Sequence, residues 1–399
     1  MTLHHRDIHS ISPTDLQQLI ENQVPEGRDL DYKEVLPKET EDEKREFRFD
    51  VSSFANAVGG LIIYGIREKK GKDGPTGTPE KVVPLEVNPD KESLRLETIL
   101  RAHIDPRIQG VQVRFMPVEG GHVGLIWVPR SWQGLHLVKH NDSYRFYSRH
   151  SKGKYILDAT EIRSGLVASQ EGYERLRRFR YERVAKIAAN EGPFVLEEGP
   201  KAVMHLIPLS STDPTIEFDL SPVRDPLVLG PVFGAFTGWN NEHNYDGFVK
   251  VVRLAGNETS NYLQFFRNGI TEEVFGRIHD PDRKILGGYS NEGTCIRSLT
   301  NCMEAHKRLG VLPPFLLCLS LLGISGYTWR VESWGWRSGN GRPFRETELL
   351  LPEALVSDAD VVPHTVLRPL FDRIWNASGE LKSPFYDEGG NRIDPRLGG

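Results

Sequence analysis

Apolar positions near the N-terminus fall at helical spacing directly after a capping signal. Ser12, Pro13 and Asp15 supply a cap, a first-turn proline and an acid three residues after the cap. Leu16, Leu19 and Ile20 form the stripe to be buried, and Pro25 closes the element. Leu30-Asp31-Tyr32-Lys33 alternates apolar with charged and predicts a strand with one wet face. Between about Glu41 and Val58 the apolar residues Phe47, Val51, Phe54, Ala55 and Val58 return to helical spacing. Gly59-Gly60 stops that helix, a cap being favoured over a phosphate-binding turn for such a pair. Leu61 to Ile66 is then a short apolar run suited to a central strand.

The Gly/Pro/Asp content of residues 71–81 predicts a loop, followed by a helix around Lys91 to His103. Strands are expected at Val111–Val118, His122–Val128 and Ser143–Ser148, and the first unit closes near Ser164. Residues from about Gly165 to Glu191 form one long arginine-rich helix that leads into a second unit. There His205–Leu209, Pro231–Trp239, Phe248–Leu254 and Tyr262–Arg267 predict strands, with Asn268-Gly269 as a turn. A helix around Thr294 to Leu309, an apolar strand after Pro314 and a closing helix near Pro363–Trp375 complete it. The tail after Gly379 is Gly/Pro-rich and expected to be loosely held. The fold class is therefore α+β: residues 1–164, a connecting helix over 165–193, and a second α+β domain over 194–399.

Composition narrows the picture. With 38% hydrophobic and 26% charged residues, the chain belongs with globular rather than disordered proteins. Its formal net charge of -5 argues against a uniformly basic nucleic-acid coat and leaves room for a local basic surface. Cys295, Cys302 and Cys318 lack C-x-x-C spacing and cannot all pair, which favours a reduced protein over a disulfide framework or a zinc site. The N-terminus lacks the apolar core of a signal peptide. Val311 to Tyr327 is uncharged, but prolines and glycines interrupt it, and a spanning helix needs about 20 apolar residues. A buried strand is expected there, and the cytoplasm is the default location.

Three acids stand at special places: Glu26 before a strand, Asp31 within it, and Glu68 after another. Neighbouring strands lie about 4.8 Å apart, so acids on or near them can converge on one hard divalent cation, Mg2+ or Mn2+. Such a cation orients a scissile phosphate and lowers the pKa of an attacking water. Lys33, on the same strand face as Asp31, can hold phosphate or offset charge in the transition state. Among 55 acidic residues, solvated acids near strand ends are the commoner case.

The run Glu26-x-x-x-x-Asp31-Tyr32-Lys33, then Phe54-Ala55-Asn56-Ala57-Val58-Gly59-Gly60, then Ile63-Tyr64-Gly65-Ile66-Arg67-Glu68, resembles the Alba-like domain of the Schlafen family. It looks like a single-lobe member of prokaryotic type. The resemblance implies an RNA-cutting domain whose catalytic and metal-ligating acids map onto Glu26, Asp31 and Glu68. Asp31 stands where the family usually has glutamate, and Arg67-Glu68 replaces an Asp-Asp pair. Both exchanges keep a carboxylate at the mapped site. Other relatives resemble transcription regulators or nucleotide-binding proteins. No GxxxxGK[ST] segment occurs, so a P-loop is unsupported.

Residues 144–154 interleave aromatics with cations, a composition suited to phosphates and unpaired bases. Arg145, Arg149, Lys152 and Lys154 are its candidate RNA contacts; an amphipathic edge strand is the alternative. Arg178 joins them from the arginine-rich helix, where other arginines are expected in i,i+4 pairs. Asn56 is expected to hydrogen-bond backbone, and Trp329, Trp334 and Trp336 to pack in a core or interface. His4-His5 has no metal-ligand context. The expectation is a metal-dependent endoribonuclease on structured RNA, with tRNA as the implied substrate and a toxin or antiviral role. A homodimer would complete the RNA groove. The competing reading is a non-catalytic nucleic-acid-binding or nucleotide-binding regulator.

Overall fold

The computed structural model describes residues 8–71, 74–131, 134–140, 143–151, 153–213, 215–224, 239–254, 258–331 and 341–393. The chain divides into two compact units, Met1–Tyr173 and Glu174–Gly399.

In the first unit α1 (Pro13–Glu21) starts at the expected signal, where Ser12 and Asp15 cap one another's backbone N–H groups. Strand β1 (Leu30–Lys33) runs parallel to β2 (Gly60–Tyr64). Between them in sequence lies α2 (Glu41–Ala55), capped by Thr40. Every β2 residue is buried, as its unbroken apolar run requires. Gly65, at φ +93°, then breaks the chain away into β3 (Ile66–Gly71). Residues expected to be a loop instead form β4 (Gly74–Val82), which pairs antiparallel with β3 through register shifts around Glu68. The glycines and prolines there sit in an irregular two-stranded ladder, where bulges tolerate them.

After α3 (Pro89–Arg101) come β5 (Ile104–Asp105), β6 (Gln112–Val118) and β7 (Gly121–Val128). The main sheet has the order β1-β2-β7-β6. Strands β8 (Leu137–His140), β9 (Ser143–His150) and β10 (Gly153–Ile156) make a second sheet of order β10-β9-β8-β5. Helix α2 contacts both sheets. Its Phe47, Val51 and Phe54 join Ile62, Tyr64, Ile126 and Val128 of the main sheet. Its Phe49 stacks on Tyr147 of β9, with ring centroids 4.0 Å apart. A helix buried on two sides can carry polar groups inward only if they find partners, and Asp50, Ser52 and Ser53 of α2 are all buried.

Helix α4 (Ala159–Ala188) runs from the first unit into the second. In the second unit β11 (Lys201–Pro208) is followed by β12 (Trp239–Asn244), β13 (Gly247–Arg253), β14 (Thr259–Phe266) and β15 (Thr271–Phe275). A short β16 (His279–Asp280) and β17 (Ile285–Gly287) precede α5 (Gly288–Leu309). Then come β18 (Phe315–Leu322), β19 (Thr328–Arg330), β20 (Glu348–Leu350), β21 (Ala354–Val356) and α6 (Pro363–Ala377). The large sheet is ordered β12-β13-β14-β15-β11-β18-β20, with β21 also on β18. Its core unites Leu299, Cys302, Leu370 and Phe371 of α5 and α6 with Met204, Phe265 and Leu319 of the sheet. A second cluster packs Val184 and Ile187 of α4 on Val203, Val251, Tyr262 and Val274.

Several arginines of α4 serve this packing. Arg183 makes a bidentate pair with the buried Glu272 at 2.6 and 2.7 Å, and His205 and Tyr262 complete that carboxylate's partners. Arg180, 2% exposed, donates to the carbonyls of Leu319 and Leu351. The three cysteines are buried and unpaired, and burial pushes the Cys295 and Cys318 thiols up to about 12. The segment after Gly379 is firmly packed, contrary to expectation: Ser383 and Phe385 are 0% exposed and Tyr386 is 5%. Aromatic burial overrides the Gly/Pro composition there. Trp329 is buried in β19, whereas Trp334, Trp336, His4, His5 and most of 231–239 lie outside the described residues. Among the described residues no helix is long and apolar enough to cross a membrane.

Candidate active site

Strand β1 leaves its N–H groups on one side without a sheet partner, and Glu26 supplies one. Its Oε1 accepts the backbone N–H of Tyr32 at 2.7 Å, folding the carboxylate back over the strand. Tyr32, fully buried, donates its hydroxyl to Val24 O at 3.0 Å and fixes the preceding turn. Strand alternation then puts Asp31 and Lys33 on one face.

At Asp31 that face is not wet. Asp31 is 5% exposed: Arg149 Nη2 donates to its Oδ1 at 3.0 Å, and Lys33 forms a close ion pair with its Oδ2. Burial works against the charge on Asp31, but Lys33 and Arg149 outweigh it and hold the carboxyl below its ordinary value. Lys33 shows the mirror image, its ammonium held up by Asp31 and Asp50 against the opposing effect of burial. Asp50, on α2, accepts from Lys154 Nζ at 2.7 Å, and the same ammonium reaches Glu46 at 2.7 Å. Burial raises the Asp50 carboxyl despite Lys154 and Lys33.

Glu68 on β3 is tied to Glu26 through Gly77. The Gly77 N–H donates to Glu68 Oε2 at 2.9 Å, while Gly77 O accepts the Glu26 N–H at 2.6 Å. Gly77 has φ +70°, and a Cβ there would lie 3.5 Å from Glu26 Oε2. Burial, then Asp31 and, more weakly, Glu68 push the Glu26 carboxyl up to about 7, against the Tyr32 N–H and Lys33. Mutual repulsion of this kind is what a cation relieves.

Among the described residues no group of three His, Cys, Asp or Glu side chains is arranged to hold a metal ion. Cations engage both oxygens of Asp31. Glu26 Oε2 and Glu68 Oε1 receive no hydrogen bond from described residues. Two carboxylates with open oxygens fit a Mg2+-class ion, which takes the rest of its shell from water and phosphate rather than from an all-protein cage.

The sequence of residues 26–158 matches the family model described as Schlafen, AlbA_2. Residues 26–158 form a Schlafen AlbA-like domain. Its FAN segment now has a physical role: Asn56 donates to the carbonyls of His136 and Tyr147 at 2.8 Å and accepts the His136 N–H at 2.7 Å. One amide thus pins β9 and the entry to β8 onto the end of α2. Among solved structures, the chain is similar to the N-terminal domain of a protein from Nitrosomonas europaea described as ATP-dependent DNA helicase RecG-related. Identity there is 19% and the TM-score 0.23, over 30% of this chain and 74% of that one. It is also similar to the DIP2311 protein of Corynebacterium diphtheriae, at 17% identity and a TM-score of 0.24, over 36% of this chain and 29% of that one. No curated protein matches the chain.

Asp31 and Lys33 pair on β1, Glu26 folds back onto the same strand, and Glu68 is tied to Glu26 through Gly77, but among the described residues the three acids do not form a group arranged to hold a metal ion. The AlbA domain does not turn every expected RNA contact outward. Arg145 is exposed on β9, and Arg178 is exposed on α4. Arg149 and Lys154 instead point inward, their charges taken up by Asp31, Asp50 and Glu46. Lys152 lies outside the described residues. Sequence reasoning missed Asp50, although an acid between Phe47 and Val51 on an apolar helix stripe was a usable signal. Gly77 gave none, being one glycine of several in a Gly/Pro-rich stretch.

Proposed function

We propose that the AlbA domain is a divalent-metal-dependent endoribonuclease acting on structured RNA, with tRNA the first substrate to try. The observation that carries this reading is the meeting of Glu26 and Glu68 at Gly77, beside an ionised Asp31 and Lys33. Glu26 and Glu68 would hold Mg2+ or Mn2+. A bound cation of this class supplies Lewis acidity and a lowered pKa for the attacking water. Lys33, kept protonated by its acidic neighbours, offers its ammonium to the scissile phosphate and to charge that develops on it. Asp31 keeps Lys33 in place on the strand face. Exposed cations such as Arg145 supply backbone attraction that salt screens.

A second reading, nucleic-acid binding without cleavage, draws on the engagement of both Asp31 oxygens by cations. One experiment separates the two. The full chain is incubated with tRNA, an RNA hairpin and duplex DNA, in Mn2+ or in EDTA, and the products are resolved by electrophoresis. Metal-dependent cutting of RNA supports the nuclease. Salt-sensitive binding with intact RNA under every condition overturns it in favour of the second reading.

A further inference from the structure

Arg149 sits in the most basic and aromatic stretch of the domain, yet its side chain turns away from solvent. It is 3% exposed, and its guanidinium carbon lies 3.8 Å from the centre of the Phe54 ring. That stacking leaves the edge of the fork to donate to Asp31 Oδ1 at 3.0 Å. Lys154, which pairs with Arg149 in the β9–β10 ladder, also turns inward, to Asp50 and Glu46 of α2. The hairpin therefore directs two cross-strand cations at acids of β1 and α2.

For Arg149 to reach a phosphate, it would have to abandon both partners. Asp31 would stay buried with Lys33 alone, and loss of one partner from a buried charge cluster is strongly unfavourable. Arg is also the residue suited to this place: its flat face stacks while its edge donates, which lysine cannot reproduce.

We propose that Arg149 is a positioning residue that clamps the Asp31 carboxylate beside Lys33, and that the inward side of the β9–β10 hairpin, where Arg149 and Lys154 lie, is the rear wall of the site rather than an RNA-gripping surface. This rests on the nuclease reading for its kinetic consequence but not for its geometry. The role makes distinct claims on binding and on turnover. RNA affinity of Arg149→Gln, measured by fluorescence anisotropy in EDTA across a salt series, should stay within about twofold of the parent, with an unchanged slope of log Kd on log salt. A lost phosphate contact would instead reduce that slope by about one. With Mn2+, Arg149→Gln should lose at least tenfold in kcat with little change in KM, and Arg149→Lys should recover part of the loss.

Thermal unfolding of Asp31→Asn, Arg149→Gln and the double variant gives an activity-free readout. Arg149→Gln should lower Tm clearly in the parent and much less on the Asp31→Asn background. If the chain cuts no RNA, the nuclease reading fails while this coupling still tests the clamp. Additive Tm losses, or a weakened affinity with a reduced salt slope, would overturn the proposal.

Discussion

Glu26 and Glu68 reach the backbone of Gly77 from its two polar groups: the Glu26 N–H donates to the Gly77 carbonyl at 2.6 Å, and the Gly77 N–H donates to Glu68 Oε2 at 2.9 Å. An irregularity in the β3–β4 ladder thereby links two acids that are 42 positions apart by number, 68 minus 26. Gly77→Ala should disturb this arrangement without unfolding the domain. The left-handed φ of +70° costs an alanine about 1 kcal/mol, a Tm loss of a few degrees. Relaxing that backbone strain shifts the residue that tethers both acids, so Mn2+ affinity by calorimetry should fall severalfold. An unchanged affinity would show that these two oxygens do not share a cation.

Glu26 supplies a pH dependence. Its carboxyl is raised from 4.5 to about 7 in the folded chain. The folded state therefore binds this proton more tightly than the unfolded one. The associated stability is present below about 4.5 and is lost as pH rises towards 7. Thermal unfolding without divalent metal should show that decline, and Glu26→Gln should flatten it. Because a cation competes with the proton, Mn2+ affinity should climb as pH passes through 7. An affinity that is level between pH 6 and 8 would count against Glu26 as a ligand.

In the second unit Glu292 makes a separate test of buried charge. It is 0% exposed, accepts from Trp375 Nε1 at 2.8 Å and Ser383 Oγ at 2.9 Å, and burial pushes its carboxyl up to about 7. Arg392 acts in the opposite sense and Asp372 in the same one. Here too stability drains away as pH rises from 4.5 to about 7. Glu292→Gln keeps an acceptor oxygen and carries no charge. It should gain on the parent at pH 8, by at most roughly 3 kcal/mol, with the gain vanishing near pH 4.5. A denaturant titration at both pH values reads this directly, and an equal difference at both would refute it.

Local signals carried much of the fold. The Ser12-Pro13-Asp15 cap, the Phe47–Ala55 stripe and the apolar run of β2 each depend on neighbours a few positions away, and each is found where the pattern put it. The misreadings share a cause in distant partners. Arg149 looked like a surface cation because the sequence does not show that its acceptor lies 118 positions earlier. The stretch around Gly77 looked like a loop because strand pairing with β3 outweighs its local preferences. Phe385 looked like part of a slack tail because α5 and α6 supply its cover from elsewhere. The acids of the candidate site were legible as a motif, but the pairing of Arg149 with Asp31 and of Lys154 with Asp50 was not.

The proposed role of Glu26 and Glu68 is to hold, together, a cation that drives RNA cleavage. Its most direct measurement is the rate of tRNA cleavage in Mn2+ by the parent chain and by the Glu26→Gln/Glu68→Gln double variant, both checked for folding by circular dichroism. The parent should cut with a rate that rises with Mn2+ and disappears in EDTA, and the double variant should do no better than buffer. Cleavage by the double variant at the parent's rate, or by the parent in EDTA, would rule out that role.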